Sequence, residues 1–490
     1  MHLPRFARTK RIANVVALSA ALSLSPTPAM VEASSLPDMG DASGSVLTPE
    51  REQRIGKAMW RQLHQAGKII DAPELAGYVR SLGYRLLAAG EYGPRDFTFF
   101  LVDAPSINAF AMPGGYIGIH AGLITATQNE DEVAAVMAHE IAHVTQNHLA
   151  RGYEKANRMN LPMTAAVIAA ILLGAQNPQL AEATIAATTA GAAQMQLDFT
   201  RAHEKEADRL GIDTLAAAGY DPRSMAGFFR KLEEQSRYYG SGVPEFLRTH
   251  PVNQSRIADA EGRARVFPDS SSQPQTDYWI TKARLEVHLS DDPAALARRV
   301  DSRLDAGRST NRHADRFTLA LALRASGELG AARKILKAFV EEAPERIAYR
   351  TELARLEMED ERYDLASQLL ETGLELYPDN PELLLALGEI HLHAEAPEKA
   401  RRRFERAIRT NLDTAPETYK HLSRAEAALG HEAASRLALG EYYFRIGETH
   451  SAIDQLTAAQ DYAGNDFYIA SRIGARLKQF KREAELESQD

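Results

Sequence analysis

The chain contains no cysteine. Disulfide scaffolds and thiolate zinc sites are thereby excluded, and any bound metal has to sit on His, Asp or Glu. An excess of positive charge is missing too. Lys and Arg number 57 against 66 Asp and Glu, a net charge of -9, which supplies no basic face for nucleic acid. Long apolar runs are also lacking. The most apolar internal stretch, "LPMTAAVIAAILLGA", is 15 residues, short of the roughly 20 that span a bilayer.

What is present suits a folded, multi-domain protein. The 490 residues, 44% hydrophobic and 25% charged, allow two or three domains, each with its own core. The first of them do not belong to the fold. A basic run (Arg5, Arg8, Lys10, Arg11) precedes the apolar Ile12–Leu24, and small residues and prolines follow. That order predicts a signal peptide over 1–33, cleaved after Ala29 or Ala33, and export to the periplasm of a Gram-negative cell.

From about 46 to 265 the pattern is mixed. "REQRIGKAMWRQLHQAG" and "PELAGYVRSLGYRLLAAG" read as amphipathic helices ending at glycine. "FTFFLVD" reads as a strand, and "NAFAMPGGYIGIHAGLI" as two short strands turning at Pro113-Gly114-Gly115. A helix follows, with Thr127 and Glu130 expected to form its capping box and its end near Gly152. In 159–197 the one charged residue is Glu182. This stretch admits a buried helical hairpin, a mobile cover or a membrane-touching surface.

Residues 266–277, rich in Pro, Ser and Gln, read as a linker. Beyond it, over 278–490, the chain turns all-helical and repetitive. Ala332, Ala366 and Ala400 are spaced by 34, as are Ala320, Ala354 and Gly388, and Leu336, Leu370 and Phe404; Pro344 and Pro378 share the period. Paired helices at this period form a tetratricopeptide solenoid, whose concave face takes peptides or protein partners. A weaker unit spans 433–466, 278–312 reads as a degenerate first unit, and 415–432 is irregular. The expected fold is mostly α: an α+β domain, then an all-α tetratricopeptide solenoid.

The chemistry lies in "HEIAH". On a helix, His139 and His143 are one turn apart and share a face. A zinc ion between them would leave Glu140, offset by one residue, in reach of the attacking water as general base. His148, five residues past His143, is expected off that face, at the carboxyl end of the helix. The metzincin continuation is absent, because Gln146 and Leu149 stand where glycine and a third histidine are required. The third ligand is therefore remote. In "RAHEKEADRLG", Glu204, Ala207, Asp208 and Gly211 fall along one helical stripe. Glu204 is the candidate ligand and Asp208 the orienting partner of a ligating histidine. His203 and Glu206 are expected to point elsewhere.

Together, "NAFAMPGG", "AHEIAHVTQNH", "EKEADRLG" and "THPVNQSR" resemble the HtpX and CAAX prenyl protease family of zinc metallopeptidases, in its periplasmic, repeat-bearing branch. The resemblance implies that the α+β part is a zincin-type metallopeptidase domain, with one zinc on His139, His143 and Glu204, Glu140 as base and Asp208 beside the ligands. It also implies that His250 and Arg256 lie near the metal and support the oxyanion. The strand from Asn108 to Met112, with Asn108, Ala109 and Phe110, would be the edge that pairs with substrate backbone. The implied activity is endopeptidase cleavage of misassembled outer-membrane barrel proteins. The repeats would contact the barrel-assembly machinery. A second reading makes the protein chiefly a scaffold or chaperone, with His250 closing a latent site. Membrane-embedded relatives carry transmembrane helices between the two zinc segments, where this chain has only 159–197.

Overall fold

The structure, a computed structural model, describes residues 48–487 except 91, 93–94, 159–189, 240–243, 269–274 and 411–414. The segment read as a signal peptide and most of 159–197 lie outside the described residues. Among the described residues no helix is long and apolar enough to cross a membrane.

The two expected N-terminal helices are α1 (Pro49–Gln65) and α2 (Pro73–Ala89), each with proline in its first turn. Thr48 caps α1 by accepting from the Arg51 amide, and Gly67, at φ 64°, turns the chain after it. A three-stranded sheet follows: β1 (Thr98–Val102), β2 (Ala109–Met112) and β3 (Tyr116–His120), in the order β1-β3-β2. β1 runs parallel to β3 and β2 antiparallel to it, so β2 is an edge strand. The turn between β2 and β3 needs Gly114 (φ 73°) and Gly115 (φ 79°).

The short α3 (Ala121–Ala126) leads into α4 (Glu130–Thr145), which carries "HEIAH". Its cap is two residues later than the sequence pattern suggests. Asn129 accepts from the Glu132 amide, and Glu132 reaches back to the Gln128 amide. Thr127 instead bonds the Ile124 carbonyl and closes α3. The far end also differs from the expectation. α4 stops at Thr145, Asn147 takes φ 53°, and a new helix α5 (His148–Arg158) begins. α6 (Ala190–Ala217) packs on α4 at close range. Ala207 is fully buried, and a Cβ on Gly211 would lie 3.3 Å from the His139 amide nitrogen. α7 (Arg223–Tyr239), α8 (Glu245–Thr249) and α9 (Gln254–Ala264) complete this part.

The array opens with α10 (Thr276–His288) and α11 (Pro293–Asp305), which both pack on α12 (Arg312–Ala325); α12 pairs with α13 (Leu329–Glu342), α14 (Ile347–Glu359) with α15 (Tyr363–Leu376), and α16 (Pro381–His393) with α17 (Pro397–Thr410). The irregular 415–432 holds α18 (Pro416–Ala428), which packs on α17 and on the helix that follows it. The pair α19 (Glu432–Arg445) and α20 (Thr449–Tyr462) and a last helix α21 (Phe467–Glu487) follow. The small-residue ladder has a packing cause. A Cβ on Gly388 would meet the Phe404 ring at 2.3 Å, and one on Gly440 would meet Leu456 at 2.0 Å. The bulkier Phe404, replacing leucine on its rung, is matched by glycine replacing alanine.

The solenoid touches the N-terminal part at several points. Tyr278 of α10 donates to the Thr127 carbonyl at 2.8 Å, and Gln275 bonds Asp131 and the Glu130 amide. At the other end, Glu483 of α21 pairs with Lys57 and Arg61 of α1. Between them, Arg355 of α14 holds Glu74 of α2 at 2.8 Å, and buried Glu352 binds Arg284, Arg324 and Arg355. Burial alone would raise the Glu352 carboxyl, but Arg324, Arg284 and Arg355 outweigh it and hold it at about 2. Its folded value lies below the unfolded one, so its stabilisation is complete above pH about 4.5 and is lost as pH falls toward 2. Glu352→Gln is expected to cost about 2 kcal/mol at neutral pH. It should also flatten the fall in urea stability across that acid window; an unchanged acid profile would refute the assignment.

Candidate metal centre

Four side chains from two helices and one helix cap converge. His139 and His143 come from α4, Glu204 from α6, and His250 is the C-cap of α8. One donor atom from each of the four lies within 4.8 Å of all the others. His139 Nε2 is 3.0 Å from His143 Nε2 and 3.3 Å from both Glu204 Oε2 and His250 Nδ1. His250 Nδ1 is 3.1 Å from Glu204 Oε1. Glu140 sits beside this cluster, 1% exposed, with Oε1 3.4 Å from His250 Nε2 and no hydrogen-bond partner for that oxygen.

A second layer holds the first in place. Asp208 Oδ1 lies 3.0 Å from His139 Nδ1. Arg256 clasps Asp208 through Nε and one terminal nitrogen, both at 2.8 Å. Its other terminal nitrogen lies 3.0 Å from Glu204 Oε2 and donates to the Pro251 carbonyl at 2.7 Å. The guanidinium stacks over Phe229, 4.9 Å from the ring centre, and the residue is 1% exposed. Its donors are thus directed at Asp208, Glu204 and the backbone.

His148 is where sequence reasoning fell short. The break at Asn147 swings it back, so that its Nδ1 lies 3.0 Å from His143 Nδ1. Its Nε2 lies 3.1 Å from Glu206, and its ring stacks on His203 at 4.1 Å. Burial, with help from His143 and His203, lowers its pKa to about 2, so the ring is neutral. A carboxylate only accepts, hence Nε2–H donates to Glu206, and Nδ1 must accept from His143 Nδ1–H. His143 therefore turns an unprotonated Nε2 to the centre. Glu206 and His203, read as pointing elsewhere, face His148 and not the cluster.

The edge strand lies beside α4. Asn108 and Ala109 are buried, and Phe110 packs between the Phe100 and His120 rings. What these residues offer at the edge is therefore main chain.

The model for peptidase family M48 matches residues 73–264, and a tetratricopeptide repeat model matches 357–417. The "Beta-barrel assembly-enhancing protease" of Escherichia coli (strain K12) is 33% identical over 471 residues, 96% of each chain. The chain belongs to peptidase family M48. The Yersinia pestis protein of the same name is 32% identical over 448 residues, 91% of this chain and 92% of that one. The "Mitochondrial metalloendopeptidase OMA1" of Arabidopsis thaliana is 34% identical over 156 residues, 32% of this chain and 29% of that one.

As an M48 peptidase the protein is a metalloprotease, and the charges of the centre fit a cation. Glu140, Glu204 and Asp208 are buried with one guanidinium, Arg256. With neutral histidines, two negative charges stay uncompensated, and a divalent ion balances them. The protonation pattern points the same way. Burial opposes a charge on His139, yet Asp208 and Glu204 outweigh it and push its pKa up to about 10. Burial would likewise raise Glu204, but His250 and His143 hold it well below the usual carboxylate range. The pocket thus favours positive charge at the spot where the imidazole nitrogens meet.

In this M48 peptidase His148→Ala is expected to weaken metal binding by about 10- to 100-fold, because His143 loses the partner that selects its tautomer. A competition titration with a chelating dye measures this. Parent-like affinity would show that His148 does not orient His143.

Proposed function

We propose that the chain is a periplasmic zinc endopeptidase that acts on unfolded or misassembled outer-membrane barrel proteins and supports their assembly. The observation that carries the catalytic half is the cluster of His139, His143 and Glu204 beside an unpartnered, buried Glu140. The soft–hard balance of two imidazoles and one carboxylate suits zinc. The relatives named for barrel assembly, similar over nearly the whole chain, support the substrate class. The basic and apolar N-terminal run supports export.

His139, His143 and Glu204 would hold the ion, which would polarise the scissile carbonyl and acidify the attacking water. Glu140 takes the water's proton and delivers it to the leaving amine. Asp208 keeps the His139 proton on Nδ1, and His148 does the same for His143. Arg256 holds Asp208 and Glu204 in register and acts through them. The main chain of β2 aligns the substrate as an added strand. The repeats bind protein partners, with the barrel-assembly machinery as the candidate.

The position of His250 favours a latent resting form. Its Nδ1 is inside the donor cluster, 3.3 Å from His139 Nε2 and 3.1 Å from Glu204 Oε1, where it would compete with water for a bound ion. His250→Ala is then a more active protease; a helper of the oxyanion would make it a weaker one.

The zinc-loaded protein is expected to hold one ion per chain and to cleave an unfolded barrel protein while sparing the folded form. Chelation should abolish cleavage, and zinc should restore it. Cleavage that survives complete metal removal would overturn the reading.

A further inference from the structure

The segment that carries His250 is fastened to the sheet, away from the metal centre, by three residues that the mechanism does not use. Ser106, in the loop before β2, donates its hydroxyl hydrogen to Glu245 Oε2 at 2.9 Å. The Ser106 Oγ lies 2.8 Å from Nδ1 of His120, the last residue of β3. A carboxylate only accepts, so the order is fixed: His120 Nδ1–H donates to Ser106, and Ser106 O–H donates to Glu245. His120 is itself buried and packed edge-on against Phe110 of β2.

Glu245 is the first residue of α8, and His250 caps its end. Between them Phe246 is fully buried, stacked on His250 at 4.8 Å and 6.3 Å from the His139 ring. The Phe246 amide donates to the Ile107 carbonyl at 3.0 Å. Asn108 uses its carbonyl for the His120 amide, toward β3. Neighbouring residues of an extended chain face opposite edges, so the Ile107 carbonyl lies on the outer edge of β2's lead-in. The segment 244–250 therefore covers the start of the edge at which a substrate strand would pair, while His250 fills the metal cluster.

We infer that Ser106, His120 and Glu245 are positioning residues that latch this segment across both places, so that the edge of β2 and the metal site open together. The inference rests on the latent-site reading above and adds what holds the site closed. Substrate that begins to pair along β2 competes for the Ile107 carbonyl. Displacing Phe246 there leaves the hydroxyl bridge, among the described residues, as the remaining polar tie on the segment's first turn.

Hydrogen exchange on the full-length chain, stripped of metal, reads the latch directly. Ser106→Ala and Glu245→Ala are expected to speed exchange of the Phe246 amide by about tenfold or more, as one broken charge-assisted bond of ~1.5 kcal/mol implies. Glu245→Gln keeps an acceptor for the hydroxyl and should exchange close to the parent rate. With zinc restored, Ser106→Ala and Glu245→Ala should cleave an unfolded protein with a raised kcat, and adding Glu140→Gln should silence them. Parent-like exchange in Ser106→Ala would overturn the latch. Faster exchange without faster cleavage would overturn its coupling to the site. If instead the peptidase reading failed, no variant would cleave, while the exchange measurement would still report on the latch.

Discussion

Glu140→Gln is expected to lower cleavage of an unfolded protein by about 10³-fold while leaving one metal ion per chain in place. The glutamate is beside the four donor atoms and is not one of them, so its loss removes the proton carrier and spares the ligand set. Glutamine is nearly isosteric, which limits any packing change at a site 1% exposed. Glu204→Gln is the contrasting variant. It removes a charge from the ligand set itself, so it should lose metal as well as activity. Measuring metal content alongside cleavage separates the two roles. Metal lost from Glu140→Gln, or activity retained by either variant, would reverse the assignment.

Arg256→Met should destabilise the metal-free protein by about 3–5 kcal/mol, the usual penalty for stripping one partner from a buried ion pair. The guanidinium serves Asp208 and Glu204 at once, at 2.8 Å and 3.0 Å, and both carboxylates are 2% exposed. Without it they would stand as uncompensated buried charges beside Glu140. Zinc should recover part of the loss, because the ion balances the same carboxylates and binds the folded state alone. Urea denaturation with and without zinc measures both quantities. Arg256→Lys keeps the charge but not the two-pronged grip on Asp208, and should fall between parent and Met. A Met variant within about 1 kcal/mol of the parent would show that Arg256 does not hold the centre together.

Much of the architecture was legible in the sequence because it is periodic. The 34-residue ladder marks paired helices, since each rung is a local packing event between helices adjacent in the chain. Likewise His139, Glu140 and His143 are within one turn of one helix, so helical geometry alone puts the two histidines on one face. Glu204 and Asp208 could be singled out because they share a stripe with Ala207 and Gly211, which a close helix crossing requires.

The misplaced features depend on where regular structure stops. Helix ends are set by a few competing caps, and Asn129 with Glu132 won over Thr127 with Glu130. At the other end, one residue of positive φ, Asn147, ends α4 and redirects His148. A periodic pattern carried through to Gly152 could not show this, and so the partner of His143 was missed.

The sequence by itself determined the family, the donor types and the repeat period. Each is written in residues close along the chain, or in a chemistry that leaves no alternative once cysteine is absent. Tertiary structure alone decided which distant groups meet: Arg256 with Asp208, His148 with Glu206, and Ser106 between His120 and Glu245. These contacts join residues tens of positions apart or more, for all but the Ser106–His120 pair. They depend on how helices cross and where loops turn, which no local periodicity encodes.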